Sequence, residues 1–580
     1  MTYLVDIPAE QLHSRGASEC FHRLELPTVQ VVGPWKHKRP TRKAMLAGLF
    51  YIYGVEARLA SPIDWLQDPH GSRTWCYELH TLTWLKEALA RHAAGGDVEM
   101  LEVARDVVLD WAQAHLPNVE GQSEFAWYDM AVGLRAPYVG YVLRACLAGE
   151  MLNEEQVGLL RAVAKRHGAF LADGENYAAG NNHGLFEDEG LYLLARQLPE
   201  LPAAAAWREL ALTRMRVTLG ETISTEDGAH LEHSPAYQLA ILDLVARLAA
   251  NVSELPELGK LLAHMRRTAA WQVTPDGCLA QLGDTDDLPA PRWARDAASS
   301  LRGMNALFEA GQAFVRDGES FLAVSAAHHG AAHKHSDDTS FLLVENGRTL
   351  LGDSGRWGYY EDEADRLYAR SAAAHNVLTV DGRDFDWRGC EPYGSGLVAT
   401  GQGDGWYAIV VRNPLLERQG VEHCRVLLYR PGEALIVLDE VHSADMHQYD
   451  RHFHFGSEIA VERSGDGKRL AIAGDGISGT LTNFTGETRV GLERGHEGPH
   501  LGWTYPGDRK RQQVWTGVLG SRAKDVTFTA ALQFGGEPLD LLDLAVGPRH
   551  VELKLDSARS LRVRFDESSA QVEASTTPSR

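Results

Sequence analysis

The stretch Ala332-His333-Lys334-His335-Ser336-Asp337-Asp338, with residues 339–353 behind it, decides how this chain is read. Two histidines stand one residue apart, and two carboxylates follow them. Next come a strand-like run, Phe341-Leu342-Leu343-Val344, an Asn346-Gly347 turn signal, a second short run and then Asp353. A third histidine, His375, opens another apolar run, His375-Asn376-Val377-Leu378-Thr379-Val380. His, Asp and His converging from three strands make a divalent metal site. There is a geometric condition. In a regular two-residue hairpin Asp353 faces Ser340, and roughly 17 Å of strand separates that level from His335. The His335 segment must bend, or the pairing must be irregular, for both to reach one ion.

Outward from this stretch the texture divides in two. From about 41 to 315 the pattern is helical, with apolar residues at three- and four-residue spacings, as in Leu239, Leu242, Val245 and Leu248. Helical runs lie at 82–94, 103–115, 131–148, 155–171, 191–198, 207–224, 236–250 and 258–274. Many helices with short connections point to a helical array, either a solenoid or a closed α/α toroid, and the lack of a sharp repeat favours the toroid. From 316 to 567 short alternating or apolar runs dominate, about a dozen strands in all, which is the pattern of an antiparallel β-sandwich. The expected fold class is therefore α+β multidomain, an N-terminal (α/α) toroid followed by an antiparallel β-sandwich. Residues 1–40 read as an extension packed on the body, and 568–580 as a disordered tail.

The 580 residues carry a net charge of −22, which argues against nucleic acid and anionic membrane as partners but leaves room for an anionic substrate in a locally basic cleft. No run of about 18 apolar residues marks a membrane span. The six cysteines are scattered without a CxxC, which argues against a cysteine zinc site or a disulfide framework. The N-terminus shows no signal peptide, so the expected location is cytoplasmic, or periplasmic or secreted if the start has been trimmed. A homodimer is left open.

Three further constellations carry chemistry. Asn181-Asn182-His183-Gly184 reads as a loop before a helix at 190–197; its amides either cap the helix or bind a carboxylate, with His183 as proton acceptor. Asp227-Gly228-Ala229-His230-Leu231-Glu232-His233-Ser234-Pro235-Ala236-Tyr237 places Tyr237 in the first turn of a helix begun by Pro235, where the helix N-terminus favours a phenolate. Trp75-Cys76-Tyr77-Glu78-Leu79-His80, with Trp127 and Arg135, sets aromatics beside an arginine, as sugar stacking and carboxylate pairing require; taken singly, each reads instead as core or as part of a helix salt bridge.

Taken in order, Asn181-Asn182-His183-Gly184, Asp227-Gly228 with Glu232-His233-Ser234-Pro235 and Tyr237, Gln281-Leu282-Gly283-Asp284, His333-Lys334-His335-Ser336-Asp337 and Ala374-His375-Asn376-Val377 resemble the heparinase II/III-like polysaccharide lyases. The resemblance runs from about 75 to about 455. It implies an α/α toroid followed by a β-sandwich, and β-elimination on uronic-acid glycans such as heparan sulfate, hyaluronan, chondroitin or alginate. It also implies catalytic roles for Asn182, His183, Tyr237 and His333. Asn182 and His183 meet the uronate carboxylate, and His183 or His333 serves as base. Trp127, Arg135, Glu78, His80 and Tyr368 are the expected substrate contacts. The implied metal ligands are His335, Asp353 and His375, holding a structural ion, Zn2+ first, with Mn2+ or Ca2+ as alternatives. A further tyrosine from the β domain joins the site: Tyr359, Tyr360 or Tyr368. The family's acidic residue is Glu187 or Asp188. Two other readings compete: an α/α-toroid glycoside hydrolase using Glu187 and Glu232, and a non-catalytic glycan-binding protein.

Overall fold

The computed structural model describes residues 39–576 apart from 118–120, 466, 487–488, 499, 536–538, 548, 556–558 and 567. The extension expected over 1–40 thus lies almost wholly outside the described residues. The chain forms two compact units: among the described residues the first takes 39–223 and 240–262, the second 224–239 and 263–576.

The first unit is helical, with Arg73–Thr81, Lys86–Gly95, Val98–His115, Asp129–Ala148, Glu154–Ala172, Asn182–Gln197 and Ala204–Thr222 as its main elements. A small hairpin, Leu49–Ile52 with Val55–Arg58, interrupts the stretch read as helical. Local chemistry sets the helix ends. Asn153 and Gln156 form a reciprocal capping box at the start of Glu154–Ala172. Asp129–Ala148 is apolar on every face and buried from Ala131 to Leu147, as a helix enclosed by its neighbours must be. It crosses Asn182–Gln197 backbone to backbone. A Cβ on Gly190 would stand 2.1 Å from the Gly133 carbonyl oxygen, and one on Gly133 would stand 2.7 Å from that of Phe186. Only glycine permits this approach.

Asn182–Gln197 begins eight residues before the 190 expected from the sequence. Gly184 and Gly190 look like helix breakers, but tertiary packing overrides their poor helix propensity. Asn182 and His183 are therefore first-turn helical residues, and the Asn181 side chain caps them by accepting a hydrogen bond from the His183 backbone N–H at 2.8 Å.

The second unit is built from a five-stranded, a four-stranded and a twelve-stranded sheet. Phe341, Leu427, Phe453 and Leu519, drawn from all three, share one buried core. The strands begin at Gly303, before the boundary set at 315. The tail is also corrected: Ser569–Thr576 is a strand, antiparallel to Arg559–Phe565 and parallel to Leu397–Gly403. Its polar composition concealed an alternation in which Ala570 and Val572 enter a core with Val551 and Val563. The hairpin at the opening stretch forms, but its pairing is irregular: Glu345 pairs with Arg348 and Val344 with Thr349, while Leu343 pairs with Leu351. Asn346 and Gly347 take φ of 50° and 68° between Ser340–Glu345 and Arg348–Leu351, the left-handed pair of a type I′ turn.

Candidate active site

Two groups of polar side chains stand out, one in each unit. In the first, the glycine crossing brings the first turns of its two helices together. His183 Nδ1 lies 3.3 Å from Asp129 Oδ2, and its ring meets Tyr128 edge-on at 6.0 Å. Burial pushes the Asp129 carboxyl up, but the His183 bond and charge and the Met130 N–H outweigh it and hold the group below its ordinary value. Asn182 is buried beside them. Burial also pushes Glu187 up to about 7 and Asp188 up to about 8. Asp188 accepts from the Tyr177 hydroxyl at 3.0 Å.

In the second unit the rings of Tyr237 and His333 stack with centroids 3.5 Å apart and planes 23° from parallel. The Tyr237 and Tyr359 hydroxyls share a hydrogen bond at 2.5 Å. Tyr359 is thus the tyrosine from the strand-rich part that joins the group. Tyr237 does sit in the first turn of Pro235–Asn251, as the Ser234-Pro235 start implied. The expected phenolate does not follow, however. Burial and the neighbouring Tyr359 push the Tyr237 phenol well above its ordinary value, so it stands as a proton donor. Burial likewise pushes Tyr359 up to about 12.

His333 lies between two carboxylates, Nδ1 at 2.9 Å from Asp284 Oδ2 and Nε2 at 3.5 Å from Glu232 Oε2. The same Asp284 takes His335 Nε2 on Oδ1 at 2.8 Å. Arg366 spans both oxygens, with Nη1 to Oδ1 at 2.5 Å and Nη2 to Oδ2 at 3.1 Å. Burial pushes Asp284 up, but Arg366 and the two imidazoles overcome it and hold the carboxyl well below the usual range. His333 and His335 do not lie on a strand. They sit in a turn where His333 adopts φ 54°.

Asp353 lies beside Ser340, whose Oγ is 3.4 Å from its Oδ2, and both its oxygens face His375 Nδ1 at 3.1 and 2.9 Å. His335 turns to Asp284 instead. The His335 and His375 rings are 5.4 Å apart, and His335 Nδ1 and His375 Nε2 are buried with no hydrogen-bond partner. Two donors of the expected set thus have the right chemistry, while the carboxylate is turned to His375. Among the described residues no three His, Cys, Asp or Glu side chains stand as a ready ligand group.

Four of the five expected substrate contacts, Glu78, His80, Arg135 and Tyr368, are buried side chains, and Trp127 is half-buried. Arg135 is fully buried and spends all three nitrogens inside the helical unit, on His167 Nε2 (2.9 Å) and the carbonyls of His80 (2.5 Å) and Ala126 (2.7 Å). His80 is buried between the Trp65 carbonyl and the Trp111 indole N–H. Glu78 is buried against Thr83 and pushed up to about 7 by burial. Trp127 donates to the His115 carbonyl, and Arg166 covers its face at 3.9 Å. Tyr368 is buried and its hydroxyl accepts from the Gly502 N–H. Arg135 therefore braces the core of the helical unit. Asp129 and Arg366 were given no role by the sequence reading; Glu232 entered it only in the hydrolase alternative, and Tyr359 only as one of three candidate tyrosines. Asp284 had a signal, its place in Gln281-Leu282-Gly283-Asp284, but no role.

Comparison with known proteins agrees with this fold. Residues 36–289 match the model of the heparinase II/III N-terminus, and residues 299–523 match that of the heparinase II/III-like C-terminal region. The chain belongs to the heparinase II/III-like family. It is 23% identical over 378 residues to a heparin-sulfate lyase of Pedobacter heparinus, spanning 58% of this chain and about half, 55%, of that relative. It is 20% identical over 466 residues to a heparin-sulfate lyase of Bacteroides stercoris, covering 69% and 67%. Among solved structures, heparinase III superposes with a TM-score of 0.71 at 15% identity over 98% of this chain and 94% of that one. Heparan sulfate lyase HepC from Pedobacter heparinus gives 0.64 at 17% over 99% and 94%.

Proposed function

We propose that this protein is a polysaccharide lyase that cleaves uronic-acid-containing glycosaminoglycans by β-elimination. The observation that carries the reading is the Tyr237–Tyr359–His333 group, in which a phenol kept protonated by burial stacks on an imidazole flanked by Asp284 and Glu232. The curated relatives bear the name heparin-sulfate lyase, which favours a glycosaminoglycan as substrate.

In the reaction a base takes the C5 proton of the uronate. The C–H electron pair becomes the C4–C5 double bond. The C4–O bond breaks with its pair on oxygen, and that oxygen takes a proton. Tyr237, held as a phenol, is the acid for the leaving oxygen. His333 is the proton acceptor of its unit, with Glu232 beside Nε2 to receive the proton onward. Charge on the uronate carboxylate must be offset for the C5 proton to leave. That role falls to Asn182 and His183, as the family resemblance implies. Arg135 takes no part, because its nitrogens are spent in the core.

For His335, Asp353 and His375 the reading remains a structural divalent ion, Zn2+ first. The unpartnered His335 Nδ1 and His375 Nε2 support it, and Asp353 has to turn from His375 to join them. Elemental analysis tests this: one ion per chain in the wild type, lost in His335→Ala, is expected, and retention in the variant refutes the ligand set. For the activity, near-ultraviolet absorbance is followed on heparan sulfate, hyaluronan, chondroitin sulfate and alginate oligomers. A new unsaturated uronate is expected from at least one glycosaminoglycan, with kcat about 10²–10⁴-fold lower in Tyr237→Phe. Cleavage without that absorbance means hydrolysis and overturns the reading.

A further inference from the structure

We infer that Asp284 is a positioning residue shared by two histidines, fixing His333 with its proton on Nδ1 and His335 with its proton on Nε2. The inference rests on the proposed lyase reading for its consequence in catalysis, and on geometry alone for the tautomers.

The four acceptor positions of this carboxylate are filled by four donors. Oδ1 takes His335 Nε2 at 2.8 Å and Arg366 Nη1 at 2.5 Å; Oδ2 takes His333 Nδ1 at 2.9 Å and Arg366 Nη2 at 3.1 Å. Asp284 and Arg366 are both about 2% exposed. A carboxylate paired two-to-two with a buried guanidinium stays ionised and only accepts. Each imidazole nitrogen that faces it must therefore donate. In a neutral ring the opposite nitrogen then carries the lone pair. For His333 that nitrogen is Nε2, the one beside Glu232 at 3.5 Å. For His335 it is Nδ1, which is buried and has no hydrogen-bond partner.

The consequence is a coupling that the sequence does not display. One aspartate, 49 and 51 residues before its two histidines, orients the proposed proton acceptor and the proposed metal ligand together. Ring orientation and tautomer are what a partner on the far nitrogen supplies to a catalytic or ligating histidine. Tyr237 shares in the arrangement, because the plane of His333 set by Asp284 is the plane on which Tyr237 stacks at 3.5 Å.

The test is a multiple-bond 1H–15N spectrum of the full chain labelled at histidine ring nitrogens, with the two rings assigned by His333→Gln and His335→Gln. The expected wild-type result is a protonated Nδ1 on His333 and a protonated Nε2 on His335. The reverse tautomer at either ring overturns the inference, whatever the activity. In Asp284→Asn we expect kcat about 10²-fold lower with KM within about twofold, and His333 populating both tautomers. An Asp284→Asn enzyme with wild-type kcat also overturns it. If that variant does not fold, because Arg366 loses the carboxylate that meets both its Nη atoms, the wild-type spectrum decides alone. A wild type that yields no unsaturated product from any uronate glycan defeats the lyase reading and leaves the tautomers to be decided by the spectrum.

Discussion

Arg135→Met separates core packing from substrate binding. The substitution keeps approximate length and removes three hydrogen bonds and a guanidinium lying 3.8 Å over the Trp111 ring. The His80 carbonyl it serves belongs to the last turn of Arg73–Thr81, where carbonyls have no partner within the helix. His167 Nδ1 faces the Val163 carbonyl at 2.8 Å, so its Nε2 is the acceptor that Arg135 satisfies. Leaving buried acceptors unmet costs about 1–3 kcal/mol each. Against this stands relief of the cost of burying a cation, which pushes the Arg135 guanidinium well below its ordinary value. That relief is several kcal/mol. The net expectation is a loss of about 3 kcal/mol, a large share of a domain stability of about 5–15 kcal/mol. Urea unfolding followed by tryptophan fluorescence measures it on the transition of the helical unit. KM of the folded fraction should not change. Stability within about 0.5 kcal/mol of wild type, together with a rise in KM, would falsify the structural assignment and return Arg135 to the substrate.

Other perturbations probe the remaining claims. Tyr359→Phe removes the hydroxyl paired with Tyr237 and should lower kcat by about tenfold, less than Tyr237→Phe, with Tm unchanged; equal losses in the two variants contradict the order of roles. Asp188 and Glu187 are pushed up to about 8 and about 7 by burial, so the folded state holds protons that the unfolded chain releases near pH 4. Their contribution is full below that unfolded value and is lost as pH rises through 7 to 8. Asp188→Asn should therefore shrink the fall in Tm between pH 6 and pH 8, and an unaltered fall refutes the assignment. Gly401→Ala places a Cβ 1.6 Å from the Ala570 carbonyl oxygen in the parallel strand pair; a loss of about 1–3 kcal/mol is expected, and an unchanged Tm shows that the C-terminal strand is not held there.

The sequence by itself determined the helical-then-strand order, the Asn346-Gly347 turn, the start of the Tyr237 helix at Pro235 and the ordered motifs that mark the family. Each of these is local: a hydrophobic period, a turn's demand for positive φ, or a short run of residue types. The hairpin turn was local too, but its irregular register, which pairs Leu343 with Leu351 and not with Leu350, was not legible in it. The sequence could not determine which polar groups meet. The Asp284–Arg366 pair joins positions 82 residues apart, and Tyr237 finds Tyr359 across 122. The tertiary structure also buried Arg135, Glu78, His80 and Tyr368, and burial depends on the whole fold. It decided the state of Tyr237 as well: the helix N-terminus favours a phenolate, but desolvation and a second phenol at 2.5 Å outweigh it.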